Sequence, residues 1–209
     1  MKRRNLSSDF IFTLFIFCIP TALLCARLYY CITDGMSIGE WFRWESIRRG
    51  GLSVLGGVIG GVGMGLIVCL VKKISFLRAA DCVVPTILIA QAIGRWGNFF
   101  NQEVYGALIT DPAQQWFPWA VEINGSWYHA LFFYECVINL IGFGLIYGAA
   151  WYWSKKPNGV FTFSYFVWYG IVRALMEPLR NPSYILGSEN DVMWSQITAF
   201  LMAAFGLIG

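Results

Sequence analysis

Three stretches of this chain hold charged and hydrogen-bonding side chains at spacings that suit the capture of an anion. The first, 94-GRWGNFFNQEVYG-106, packs Arg95, Asn98, Asn101, Gln102, Glu103 and Tyr105 into thirteen residues. On a helix Asn98 shares a face with Arg95, three residues earlier, and Glu103 would stand about 80° away if the helix continued. Gly94 and Gly97 predict a break in it. The second, 169-YGIVRALMEPLR-180, sets Tyr169, Arg173, Glu177 and Arg180 at i, i+4, i+8 and i+11, one polar stripe on an otherwise apolar helix. Pro178 is expected to bend that helix. The third holds His129, the only histidine, six residues before Glu135. A guanidinium suits phosphate because its planar fork bonds bidentately and keeps its charge in a low dielectric. The stripe reads equally as an internal ion-pair rail, and the two readings are compatible, since Glu177 can orient Arg173.

The elements that must carry these residues are membrane helices. Hydrophobic residues make up 57% of the 209 and charged ones only 13%. A soluble domain carries about 25% charge, so this chain cannot cover its surface with solvated groups. Runs of roughly 20 apolar residues can each cross about 30 Å of hydrocarbon. Six spans are expected: Phe10 to Tyr30, Gly51 to Val71, Cys82 to Phe100, Leu131 to Trp153, Gly159 to Met176, and Val192 to the C-terminus. The fold class is therefore all-α and polytopic, a single membrane domain over 1–209. An outer-face arm, 107–127, rich in Trp, Pro and polar residues, joins the third and fourth spans as a lid lying on the membrane.

Charge orients the spans. Placing the N-terminus in the cytoplasm puts all five lysines inside, Lys2, Lys72, Lys73, Lys155 and Lys156, together with Arg3, Arg4 and Arg78. Of the acids only Asp9 and Asp81 then lie inside, and both termini are cytoplasmic. Only 13 uncharged residues separate Asp81 from Arg95, and 16 separate Lys156 from Arg173. At 1.5 Å per residue these are about 20 and 24 Å of helix, so both arginines fall at or below the outer interface. Intramembrane arginines either snorkel outward or are paired and functional. A glutamate within eight residues after each favours pairing. Glu135, entering a membrane helix, needs a cationic or hydrogen-bonding partner, and His129 is the candidate nearest in sequence.

Other features are read as structural. Gly56/Gly60, Gly57/Gly61 and Gly61/Gly65 repeat the small-xxx-small spacing that lets helices pack closely in lipid; a headgroup site exposing backbone N–H groups is the alternative. The six cysteines form no CxxC pair and read as small buried hydrophobes rather than a disulfide or zinc framework. MKRR and the long apolar run after it read as a retained anchor rather than a cleaved signal peptide.

The chain resembles the prolipoprotein diacylglyceryl transferase family. GRWGNFFNQEVYG looks like the family signature at every polar position. ARLYY near residue 26, GGLSVLGGVIGG from Gly50, YHALFFYE from Tyr128, YGIVRALMEPLRNP from Tyr169 and the pair Ser195–Gln196 follow the family's order. The resemblance implies a bacterial inner-membrane enzyme that moves the diacylglyceryl group of phosphatidylglycerol onto the lipobox cysteine thiol of a prolipoprotein signal peptide. The product is a thioether and glycerol phosphate is released; no cofactor, metal or nucleic acid is implied. Arg95 and Arg173 would hold the phosphate, with Asn98, Asn101, Glu103, Gly106, Tyr169 and Arg180 shaping the pocket and Glu135 and Glu177 supporting the arginines. His129 or Glu103 would deprotonate the thiol, or the thiol would ionise beside the arginines.

The likeness begins at what resembles the family's second helix, so the usual first helix is expected to have no counterpart. Leu55 stands where many members carry histidine, and His129–Ala130 replaces the usual HP. An alternative expectation is therefore a divergent relative that binds phospholipid or modifies another acceptor.

Overall fold

The computed structural model describes residues 6–48, 50–153, 157–180 and 194–208, with side chains of 194–196 excepted. Lys2, Arg3, Arg4, Lys155, Lys156, Asn181, Pro182 and the side chains of Ser195 and Gln196 lie outside the described set. The chain divides into two compact units, residues 1–79 and 80–209.

In the first unit α1 (Ser8–Thr33) starts at Ser7, whose hydroxyl accepts the Phe10 N–H at 3.2 Å. A one-turn 3-10 helix (Ile38–Glu40) and the short α2 (Trp44–Arg48) lead to α3 (Val54–Val71), capped by Ser53. The glycine run packs against α1. A Cβ on Gly56 would lie 2.5 Å from the Cys25 carbonyl, and one on Gly60 2.6 Å from the Cys25 Cβ. A Cβ on Gly57 or Gly61 would meet Ala26 or Ala22 at ordinary contact distance. Close helix approach is thus the use these glycines have here. Arg27, buried on α1, fastens the connecting loop: its guanidinium donates to the carbonyls of Trp41, Gly50 and Gly51 and to the Ser46 hydroxyl.

The second unit contains α4 (Phe76–Phe100, from Ala80 onward), α5 (Leu131–Tyr152), α6 (Val160–Met176) and α7 (Trp194–Ile208). Its core centres on Leu88, Ile146 and Phe161, with Phe143, Tyr165 and Trp168 packed around them. Small residues set the helix approaches. Trp168 lies on Gly142, where any Cβ would collide with the indole, and a Cβ on Gly170 would stand 2.5 Å from the Ala199 carbonyl of α7.

Four helices among the described residues, α1, α3, α4 and α5, are long and apolar enough to cross a bilayer. They present large exposed apolar side chains, among them Phe12, Ile16, Ile59, Val62, Leu140 and Leu145. Such surfaces belong in lipid, and the chain is a polytopic membrane protein. The expected fifth and sixth spans correspond to α6 and α7, which are shorter, at 17 and 15 residues.

Three expectations change. Gly94 and Gly97 do not break α4, which runs on to Phe100; a helix interior tolerates glycine at a cost of about 1 kcal/mol. Pro178 ends α6 rather than bending it. Glu177–Leu179 is a 3-10 turn and Arg180 is extended, so the polar stripe leaves the helix before its last member. The all-α class is also incomplete, because β1 (Ala120–Ile123) and β2 (Ser126–His129) pair antiparallel in the arm. Asn124 and Gly125, both at positive φ, make the tight turn between them.

Candidate functional site

The arm's backbone sets the site by joining two distant segments. Past α4 the chain turns through Gln102 and Val104, both at positive φ, and runs extended along β2. Gly106 N–H donates to the His129 carbonyl at 3.0 Å, His129 N–H to the Ala107 carbonyl at 3.1 Å, and Ile109 N–H to the Trp127 carbonyl at 2.8 Å. On its other side the same strand bridges Arg180, with Ala107 N–H donating to the Leu179 carbonyl at 2.9 Å. Gly106 lies between these neighbours. A Cβ there would overlap the His129 Cβ and stand 2.8 Å from the Leu179 oxygen. The glycine is therefore required by close approach of two backbones, and the arm carries Arg180 to the end of α4.

Aromatic packing brings α4 to α5. Trp96 and Phe99 meet Phe132 with ring centroids 5.4 and 4.7 Å apart. One turn on, Glu135 (5% exposed) receives Arg95 Nε at 2.5 Å and Arg180 Nη2 at 3.5 Å. Glu177 is fully buried; its Oε2 lies 3.0 Å from Arg173 Nη2 and 3.9 Å from Arg180 Nε. Arg95, Arg173 and Arg180 thus share Glu135 and Glu177, three positive charges with two negative. Burial, and next the Arg173 cation, push the Arg180 guanidinium below the ordinary arginine value, while Glu135 and Glu177 pull the other way. An arginine in this position stays charged.

A small cavity of about 10 Å³ opens on this cluster, lined by Gln91, Arg95, Glu135, Asn139, Tyr169, Val172, Arg173 and Met176. That is roughly the room one water needs. Gln91 Nε2 donates to the Tyr165 hydroxyl at 2.9 Å, and Tyr165 stacks on Tyr169 at 5.9 Å. Gln91 and Asn139 stand outside the residues that the sequence motifs single out. A signal exists for both, because each is a polar residue one turn from an identified one, Gln91 at i−4 from Arg95 and Asn139 at i+4 from Glu135.

The expected site residues therefore separate into two sets. Arg95, Glu135, Tyr169, Arg173, Glu177 and Arg180 come together, and Gly106 anchors the strand that holds Arg180. Asn98, Asn101, Glu103 and His129 do not line the cavity. Asn101 Nδ2 donates to Glu103 Oε1 at 3.0 Å on the exposed turn after α4, and Asn98 is half-buried. His129 is not the partner of Glu135: the arginines take that place, because β2 turns the imidazole toward Tyr134. Its Nδ1 lies 3.4 Å from the Tyr134 hydroxyl, which itself donates to the Trp119 carbonyl. Burial lowers the His129 pKa.

Comparison with known proteins agrees with the resemblance. A protein called phosphatidylglycerol--prolipoprotein diacylglyceryl transferase 1, from Clostridium perfringens, is 34% identical over 99% of this chain and 79% of its own length. Similar proteins named phosphatidylglycerol--prolipoprotein diacylglyceryl transferase occur in Bacillus cytotoxicus, at 36% over 89% and 71%, and in Finegoldia magna, at 35% over 99% and 80%. The family model for prolipoprotein diacylglyceryl transferase matches residues 1–209, the full length that carries the arginine cluster and its arm. The chain belongs to the prolipoprotein diacylglyceryl transferase family.

Proposed function

We propose that this chain transfers the diacylglyceryl group of phosphatidylglycerol to the lipobox cysteine thiol of a prolipoprotein. The observation that carries the reading is the charge of the buried cluster. Among the described residues, Arg95, Arg173 and Arg180 against Glu135 and Glu177 leave one positive charge over, and the phosphodiester of phosphatidylglycerol carries one negative charge. A low-dielectric site with a single surplus cation favours a ligand of that charge over a zwitterionic one.

In the reaction the cysteine sulfur bonds to the glycerol carbon that bears the phosphate. The C–O bond breaks, and glycerol phosphate leaves with the electron pair. Negative charge grows on the departing phosphate, where fixed guanidinium groups stabilise the transition state more than the ground state. Arg95 and Arg173, which flank the cavity, are assigned to that phosphate. Glu135 and Glu177 hold the three guanidinium groups in place, Tyr169 borders the headgroup, and Gly106 fixes the strand carrying Arg180. Asn98 and Asn101 belong to the headgroup approach. The thiol proton goes to Glu103 or His129 on the arm side, or directly to water when the thiol ionises beside the arginines.

The chain is read as one membrane domain, 1–209, in the bacterial plasma membrane, with six spans and both termini cytoplasmic. The arm, 107–127, then lies on the outer face, where phosphatidylglycerol and the prolipoprotein signal peptide meet the site. The lysine distribution supports this orientation.

Complementation tests the reading. Expression in cells depleted of their own transferase should restore thioether modification of prolipoproteins, and Arg95→Ala or Arg173→Ala should abolish the rescue. A well-expressed, membrane-inserted chain that gives no rescue would refute the proposal.

A further inference from the structure

A buried carboxylate far along α4 from the arginine cluster has a second role to fill. Asp81 is 3% exposed. Its Oδ2 accepts the Gly159 N–H at 2.8 Å, and its Oδ1 accepts the Thr162 N–H at 2.8 Å and the Thr162 hydroxyl at 2.7 Å. These are donors of the first turn of α6, the groups a helix leaves without internal partners. The N-cap position of α6 is Gly159, at φ 103°, which has no side chain to supply the cap. The cap of α6 is therefore provided by α4.

The position of this staple matters because of what each helix carries. Asp81 precedes Arg95 by fourteen residues, and Gly159 precedes Arg173 by fourteen. At 1.5 Å per residue both intervals are about 21 Å of helix. Both helices run from the staple toward the same cavity, which Arg95 and Arg173 line together. Equal intervals from a common origin set the two arginines level. A slip of one residue in α6 would move Arg173 by about 1.5 Å along the axis and turn it by about 100°.

The packing of α6 gives this pin its place. Its close backbone approaches are to α7, at Gly170 and Gly206, and its Trp168 lies on Gly142 of α5. It meets α4 at the Asp81 staple, in the apolar cluster that Leu88 shares with Phe161, Tyr165 and Trp168, and, nearer the arginines, at the Gln91–Tyr165 hydrogen bond. The apolar contacts with α4 have no fixed direction, whereas the buried hydrogen bonds to Asp81 have one geometry.

We infer that Asp81 is a positioning residue for the transfer. It fixes the axial register of α6 against α4, so that Arg95 and Arg173 engage one phosphate. The inference rests on the transferase reading for its kinetic consequence, but its geometric half stands apart from that reading.

Asp81→Glu separates positioning from simple capping. It keeps the charge and both acceptor oxygens but lengthens the side chain by one methylene. A cap alone would accept the substitution; a register pin would not. Purified Asp81→Glu, Asp81→Ala and Thr162→Val proteins in phosphatidylglycerol nanodiscs are assayed on a lipobox peptide, with rates expressed per folded molecule. Nitroxide labels at Phe100 and Leu175, in a cysteine-free background, report the separation of the outer ends of α4 and α6 by pulsed electron paramagnetic resonance.

The expected result for Asp81→Glu is a thermal midpoint near that of the unsubstituted protein. Its kcat/KM for phosphatidylglycerol should fall about tenfold to a hundredfold, the penalty of an ångström-scale misplacement. The label distance should shift or broaden with it. Thr162→Val keeps two of the three hydrogen bonds and should lose only a few-fold. Wild-type kinetics with an unchanged distance in Asp81→Glu would overturn the inference, even if Asp81→Ala fails to fold. If the unsubstituted chain itself shows no turnover, the transferase reading fails, and the distance alone then decides the positioning role.

Discussion

Gly106→Ala tests whether the arm positions the arginine cluster. The added Cβ would overlap the His129 Cβ and lie 2.8 Å from the Leu179 carbonyl oxygen and 3.0 Å from that of His129. All three belong to backbone-anchored positions, so none can swing aside as the end of a flexible side chain would. Restoring carbon–carbon contact to its usual 3.5–4.0 Å requires the strand to withdraw by roughly 1 Å. The withdrawal strains the Gly106–His129 and Ala107–Leu179 hydrogen bonds together. Overpacking of this kind costs about 1–3 kcal/mol, which a protein of this size can survive. Turnover is more sensitive: Arg180 follows Leu179 directly, and a displacement of about 1 Å can cost 10²-fold. Gly106→Ala should thus fold, insert, and lose about a hundredfold in kcat/KM in a detergent or nanodisc assay on a lipobox peptide. Gly144→Ala, a helical glycine with nothing within 4 Å, should keep wild-type rates. His129→Gly in the Gly106→Ala background removes one of the three collisions and should recover part of the lost thermal stability, read by unfolding in detergent. Wild-type turnover in Gly106→Ala would refute the claim that this crossing holds the site.

Further outcomes follow from the same geometry. Arg95→Lys and Arg173→Lys keep the charge but lose the planar fork, and each should lower kcat/KM by about 10²–10³-fold; rates within about threefold of wild type would show that point charge suffices. Glu135→Gln leaves Arg95 and Arg180 without their shared carboxylate and should destabilise the protein by about 3–5 kcal/mol, read by unfolding in detergent. Part of that loss should return in phosphatidylglycerol but not in a zwitterionic lipid. Because His129 has a pKa below its ordinary 6.5, the unfolded chain binds more protons than the folded one as pH falls through that value. Stability should therefore drop on acidification from about pH 6.5 toward the lower folded pKa, and His129→Gln should flatten the slope of thermal midpoint against pH.

Much of this site is legible in sequence because its parts are local. Tyr169, Arg173 and Glu177 recur at helical spacing, so their shared face needs no knowledge of the fold. The shortage of uncharged residues before Arg95 and Arg173 is likewise counted off the sequence alone. Partners are harder. Sequence proximity pairs Glu135 with His129, six residues away, yet the carboxylate meets Arg95 and Arg180, forty and forty-five residues distant. The β-hairpin of the arm escapes a reading that takes 107–127 as a lid, although Asn124–Gly125 sits between two short alternating runs, the strongest local hairpin signal a sequence offers. Asp81 reads in sequence only as a cytoplasmic charge. Its partners, Gly159 and Thr162, are about eighty residues away and carry no motif.

On the proposed reading, in which Arg95 and Arg173 hold the phosphate, the arrangement also explains why the cluster contains a third arginine. Arg95 sits on α4 and Arg173 on α6, and each has its own carboxylate, Glu135 on α5 and Glu177 at the end of α6. Two such pairs would be neutral and would have little reason to admit an anion. Arg180 reaches both carboxylates at 3.5 and 3.9 Å, distances too long for strong hydrogen bonds, and its Nε and Nη2 form none. It adds charge without satisfying either glutamate. The surplus therefore belongs to the cluster as a whole, and an arriving phosphate can relieve it without first breaking the shorter Arg95–Glu135 and Arg173–Glu177 pairs. Since Arg180 is held by the arm and not by a helix, attraction for the proposed lipid would depend on the strand that crosses Gly106. Selection of an anionic headgroup and the seating of the arm are on this account one property.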